Sequence, residues 1–153
     1  MATIQAFEAI HDFITTGWVD VAPVACPLVW DNEAIKPPEP FGPVDAGTGK
    51  ATPRVWARIL IEGDLWEQAS IGGGDPAGER WDETGSVMVL AFAPINTGSR
   101  GIREVLTAFA EMCRGRDTGA IEFQDIRFDP IGVKDDTGKW WGMHIVIDWI
   151  RRG

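Results

Sequence analysis

Few residues of this chain can move a proton, hold a metal or attack a substrate. There are two histidines, His11 and His144. His11 lies beside Asp12 in an amphipathic segment, and His144 falls on the polar parity of a C-terminal strand near Asp148. A histidine–carboxylate pair can serve as a general base, but it needs a nucleophile or a held water opposite it. No cysteine or second histidine lies at ligand spacing from either, and no nucleophile elbow or Cys/His signature is present. Both are expected to be satisfied surface or boundary residues. The run Gly72-Gly73-Gly74 lacks the Gly-Lys-Ser/Thr ending and the following helix of a phosphate cradle, so it reads as a hairpin loop. Asp75, Glu79, Asp82 and Glu83 carry the charge for Ca²⁺ but not the spacing of an EF-hand loop, and a solvated turn is expected instead. Pro37 to Pro40 forms a PxxP pattern with Glu39 inside it and no flanking arginine, a poor match to a polyproline ligand. Cys26 and Cys113 read as reduced thiols rather than a bridge. The sequence therefore predicts no catalytic residue, no metal and no cofactor.

Composition narrows the function classes. The chain has 153 residues, 44% hydrophobic and 24% charged, which predicts one globular domain able to bury a core without metals or disulfides. Acidic residues outnumber basic ones 23 to 14, for a net charge of -9. Such a balance disfavours sequence-independent binding to nucleic-acid backbones. There is no basic leader with a following apolar run and no stretch near the roughly 20 apolar residues of a membrane span, so a cytosolic, non-membrane protein is expected. Eight tryptophans stand without a single tyrosine. Large aromatics lacking phenols suit cores and permanent contacts.

The elements that would position these residues centre on Gly85 to Gly115. Val87, Val89, Ala91 and Ala93 share one face of a strand, and Met88, Leu90 and Phe92 share the other. Both faces are apolar, so the strand is predicted to be central with cover on each side. Pro94 ends it, Thr97 or Ser99 is expected to cap a helix, and Ile102, Val105, Leu106, Phe109, Met112 and Cys113 mark that helix's buried stripe. Arg114 suits the helix C-terminus, and Gly115 permits a left-handed exit.

Upstream, Thr3 is expected to cap a helix with Ile4, Phe7, Ile10, Phe13 and Ile14 on one face, ending at Gly17. Leu28 to Trp30 reads as an edge strand hemmed in by Pro23 and Pro27. Lys36 to Pro53 carries so many prolines and glycines that a long irregular loop is predicted. Arg54 to Glu62 alternates as a half-buried strand, and Gly63-Asp64 is expected to turn it into a hairpin partner over Leu65 to Ile71. A polar stretch from Asp75 to Glu83 is expected to lead into the central strand. Downstream, Ile121 to Phe128 switches parity, which signals a bulge. Ile131 to Val133, a turn at Asp135 to Gly138, and a last strand from Trp140 to Ile150 complete the chain, with Trp141, Met143, Ile145, Ile147 and Trp149 as its buried row.

This order predicts the α+β class: a single domain with a mainly antiparallel or mixed β-sheet, two α-helices packed on one face, and long loops. Met88, Leu90 and Phe92 then need cover that the helices do not supply, either from a folded-over hairpin or from another subunit. Those three, with Trp30, Pro37, Phe41, Trp66 and Trp81, are the candidate oligomer-interface residues.

The chain also resembles, over nearly its whole length, the tail terminator-like minor tail proteins of long-tailed phages and related gene transfer agents. The likeness rests on Val29-Trp30-Asp31-Asn32-Glu33 followed by Pro37, on Trp56-Ala57-Arg58, and on Ala69-Ser70-Ile71-Gly72-Gly73-Gly74. It continues through Gly85-Ser86-Val87, Phe92-Ala93-Pro94, Thr97-Gly98, Gly132 and Trp141. The chain differs by a longer Pro/Gly insertion between Glu33 and Arg54 and by a Trp-rich end. The resemblance implies a non-enzymatic virion protein without cofactor, at the head-proximal end of the tail. It implies a homo-oligomeric ring, a hexamer in that family's pattern, that caps the tail tube, stops its polymerisation and meets the head-tail connector. DNA would pass through the lumen without specific binding. Two alternatives stay open: another head-tail adaptor, head-completion or tail-tube ring protein, and a small ligand-binding module or enzyme marked by a deep pocket around His144.

Overall fold

A computed structural model of the chain describes residues 1–129 and 131–153. In chain order the elements are α1 (Ile4–Val21), β1 (Leu28–Trp30), β2 (Phe41–Val44), β3 (Ala51–Pro53), β4 (Trp56–Gln68), β5 (Trp81–Pro94), α2 (Arg100–Cys113), β6 (Glu122–Phe128), β7 (Val133–Lys134) and β8 (Trp140–Arg152). The main sheet runs β1-β4-β5-β8-β6, with β7 also paired to β8. Only β1 and β4 are parallel; the other described pairings are antiparallel. This is an α+β fold with both helices on one side of a mixed, mainly antiparallel sheet.

The alternation in sequence sets the two sides. Ala57, Ile59 and Ile61 of β4, Val87, Val89 and Ala91 of β5, and Met143, Ile145, Ile147 and Trp149 of β8 join the helices in one core. From α1 this core takes Ala6, Ile10, Ile14 and Trp18. From α2 it takes the predicted stripe together with Ala110. The central strand is as expected: β5 lies between β4 and β8, and Val87, Val89 and Ala91 are fully buried.

Four local expectations are corrected. The first helix does not stop at Gly17 but continues to Val21. A Cβ at Gly17 would stand 2.9 Å from Met112 Sδ, so the glycine serves the close crossing of α1 and α2 and not a terminus. Trp18 beyond it stacks on Phe109 at 4.1 Å, while Ile4 at the start is exposed. Secondly, the Lys36 to Pro53 segment is not wholly irregular, because β2 and β3 pair as a small separate hairpin with Phe41 opposite Pro53. Thirdly, Gly63-Asp64 makes no turn. A bulge between Gly63 and Leu65 absorbs the irregularity, and β4 runs on for 13 residues against β5. The reversal comes at Ala69 to Arg80, so the Gly72 to Gly74 run does sit in the connecting loop. Fourthly, neither proposed cap bonds the start of α2: Ser99 makes no capping bond, and the Thr97 hydroxyl donates to Pro94 O at 2.6 Å. The Thr3 cap on α1, the left-handed Gly115 and the bulge between Phe123 and Ile126 are all as expected.

Both thiols are enclosed by this core. Burial pushes Cys26 and Cys113 up to about 12 from an ordinary 9.0. The native chain is therefore expected to resist alkylation between pH 7 and 9 and to take up two labels once denatured. Rapid labelling of either thiol in the native state would contradict this burial.

Candidate functional site

The sheet face turned away from the helices is built from the other parity of the same strands. Register places Trp56 opposite Phe92 and Phe92 opposite Gly142; the next row runs Val29, Arg58, Leu90 and His144; the row after it joins Leu60, Met88 and Val146. At one end Trp56, Phe92 and Trp140 form a closed aromatic cluster, with Trp56 stacked on Phe92 at 4.6 Å. A Cβ at Gly142 would fall 2.7 Å from Phe92 Cδ1, so the ring can lie flat only over a glycine. Beyond the cluster, Leu60, Met88, Leu90 and Val146 are half-buried, and the helices lie on the opposite side.

Arg58 is the charged residue inside this apolar field. It sits between Val29 of β1 and Leu90 of β5. Its Nε is buried without a hydrogen-bond partner among the described residues. Among the described residues it joins none of the ion pairs that hold Arg80, Arg114, Arg127, Arg151 and Arg152. A buried donor of this kind costs free energy until an acceptor meets it.

Two projections leave the body of the fold. One is the β2–β3 hairpin, where Phe41 and Val44 are exposed. The other, the β4–β5 projection, is the exposed end of β4 from Leu65 to Gln68 with the loop Ala69 to Arg80, while β5 stays paired with β8 as far as Asp82. Trp66 is 57% exposed there and meets Trp81 edge-on at 6.4 Å, and Ile71 at the tip is 95% exposed. The tip is ordered by its own bonds. The Ser70 hydroxyl donates to Glu79 Oε2 at 2.7 Å, the Gly73 N–H donates to Glu79 Oε1, and the Arg80 N–H donates to Ser70 Oγ at 2.8 Å. The Ser70 hydroxyl bond, followed by the Gly73 amide, holds the Glu79 carboxyl below its usual value.

Of the sequence-nominated interface residues, Met88 and Leu90 lie on the uncovered face, and Phe92 is buried in its aromatic cluster. Phe41 and Pro37 are exposed at or before the β2–β3 hairpin, and Trp66 and Trp81 belong to the β4–β5 projection. Trp30 leaves the set: it is buried in this chain's own core, its ring 4.3 Å from that of His11. Arg58 does not stand out in the sequence, because an arginine on an alternating strand ordinarily reads as solvated. The signal was its pairing with apolar strand neighbours, visible only once the register is known.

The polar candidates disperse. Asp75 accepts from Ala77 N, Glu79 holds the loop, Asp82 faces Arg80 and Arg152, and Glu83 is bonded by Thr3 and Arg151. Among the described residues no group of three or more His, Cys, Asp or Glu could hold a metal. His144 pairs not with Asp148 but with Asp129, Nε2 to Oδ2 at 3.1 Å, and Asp148 is taken by Arg127. That pair borders a cleft of about 490 Å³ beside α2, whose lining includes Arg103, Thr107, Phe128 and Met143. Among the described lining residues Thr107 carries the hydroxyl, and there is no cysteine, serine or lysine. Among the described residues no helix is long and apolar enough to cross a membrane.

No family model and no curated protein matches the chain. A solved protein structure resembles it over 99% of this chain and 96% of its own, with a TM-score of 0.64 at 16% identity. A likeness at that identity extends to the fold and no further.

Proposed function

We infer that this chain is a structural ring component, a tail terminator of a phage or gene transfer agent. Its copies close into a homo-oligomeric ring, six in that family's pattern. In that role it caps the tail tube, halts tube growth and meets the head-side connector, while DNA passes through the lumen. The observation that carries this reading is the half-buried apolar face with Arg58 at its centre, which a second copy would complete. An acidic chain also suits the role, because a ring multiplies its charge and a carboxylate-lined lumen repels passing DNA. Another ring of the neck or the tube would use the same surfaces. Such a protein is separated from a terminator by mixing it with tube subunits: a terminator stops their growth, and a tube subunit extends it.

The two projections are the natural reach of such a subunit, since Phe41 and Val44 of one and Trp66 and Ile71 of the other are exposed. Deleting Pro38 to Thr48, which removes β2, is expected to abolish assembly in native mass spectrometry while the far-ultraviolet spectrum keeps its helical and strand signal. Unchanged assembly would remove this hairpin from the interface. A second reading, a small-ligand module, is favoured by the His144–Asp129 cleft. It predicts a monomer at every concentration, whose ligand binding is lost in His144→Ala.

A further inference from the structure

We propose that the distal β4–β5 projection of one copy seats on the Arg58-centred sheet face of the next, its carboxylates meeting the Arg58 guanidinium and its exposed Trp66 and Ile71 covering the apolar rows. This rests on the ring reading and specifies its contact.

Complementarity in charge identifies the occupant. From Glu62 to Arg80 the chain carries Glu62, Asp64, Glu67, Asp75 and Glu79 against a single arginine, Arg80, whose charge is met by Asp82. The face offers an apolar surface around the Arg58 guanidinium, whose Nε has no acceptor among the described residues. Arginine paired to a carboxylate inside an apolar rim is the usual energetic centre of an interface. The projection has matching apolar anchors, and its bonded tip is already ordered, which lowers the entropic cost of docking.

Length excludes a contact within one copy. Arg58 and Gln68 lie on the same continuous strand, and ten residues at the strand rise separate them by roughly 33 Å. The projection therefore points away from its own face and can reach only a neighbour's. A contact between two different patches is heterologous, and repetition of it closes a ring when the rotation allows.

The test uses two full-length variants. Arg58→Glu breaks the face, and Ile71→Glu breaks the projection at a residue 95% exposed, where folding is not at stake. Circular dichroism checks that each is folded. Native mass spectrometry should show a closed oligomer for the unaltered chain and at least a tenfold loss of it for either variant alone. Mixing the two should give a one-to-one dimer, because each supplies the half the other lacks. Normal assembly of either folded variant, or no dimer on mixing, overturns this contact while an intact ring in the unaltered chain leaves the ring reading standing. A strictly monomeric unaltered chain overturns both.

Discussion

Trp149→Ala is expected to destabilise the chain by about 4 kcal/mol, the largest single-site effect in the fold, seen as a fall in Tm of roughly 12 °C. The indole is fully buried in the main core, and a Cβ on Gly85 opposite it would fall 2.5 Å from Trp149 Cζ2. The sheet is so tightly fitted to the ring that its removal leaves a cavity with no nearby side chain able to collapse into it. Trp149→Phe supplies the contrast. It keeps most of the apolar area and deletes an Nε1–H that has no hydrogen-bond partner among the described residues. The two changes oppose each other, and the expected loss is under about 1.5 kcal/mol. Equal losses in the two variants would show that cavity formation is not the dominant cost.

Glu83→Ala is expected to cost about 3 kcal/mol, because it strips the acceptor from groups arranged around a buried charge. Glu83 is 2% exposed. Its Oε1 accepts from the Thr3 N–H at 2.7 Å, and its Oε2 accepts from the Thr3 hydroxyl at 2.7 Å and from Arg151 Nε at 3.1 Å. The carboxylate thus ties the first turn of α1 to β5 and β8, and its charge also complements the start of the helix. Burial raises the Glu83 pKa, but the Thr3 hydroxyl, the Thr3 amide and Arg151 outweigh it and hold the group below the usual 4.5. A depressed carboxyl contributes stability that is full above the unfolded value and disappears as pH falls through the folded one. The unaltered chain should therefore lose Tm below about pH 4.5 faster than Glu83→Gln does. Parallel curves for the two proteins would refute the linkage.

The elements whose buried faces repeat with one period were legible in the sequence. The stripe of α2, the two-sided β5 and the parity switch in β6 each follow from local spacing, and each is found where the spacing puts it. What misled was punctuation. Gly17 and Gly63 read as stops because glycine commonly ends elements, yet one serves a helix crossing and the other a bulge. Asp82 and Glu83 read as loop because carboxylates are ordinarily solvated. They are strand residues whose charges are met by Arg80 and Arg152, and by Arg151. Such partners lie about 70 residues away in the case of Glu83 and Arg151, and no local pattern records them. The candidate interface was partly legible for the same reason: parity gave Met88 and Leu90, but the isolation of Arg58 depends on which strands lie beside it.

The short strand β1 has a consequence for how copies can add to one another. It offers three residues at one margin of the sheet, directly after Pro27, and the opposite margin is broken by the bulge in β6 and by the two-residue β7. Beyond β1 the margin is the rest of β4, Leu60 to Gln68, and there the bulge between Gly63 and Leu65 interrupts the row of free amides and carbonyls on which another chain could template itself. Short strands and bulges at both margins work against lateral strand addition, the route to fibrils, and favour association through side chains, which can be finite.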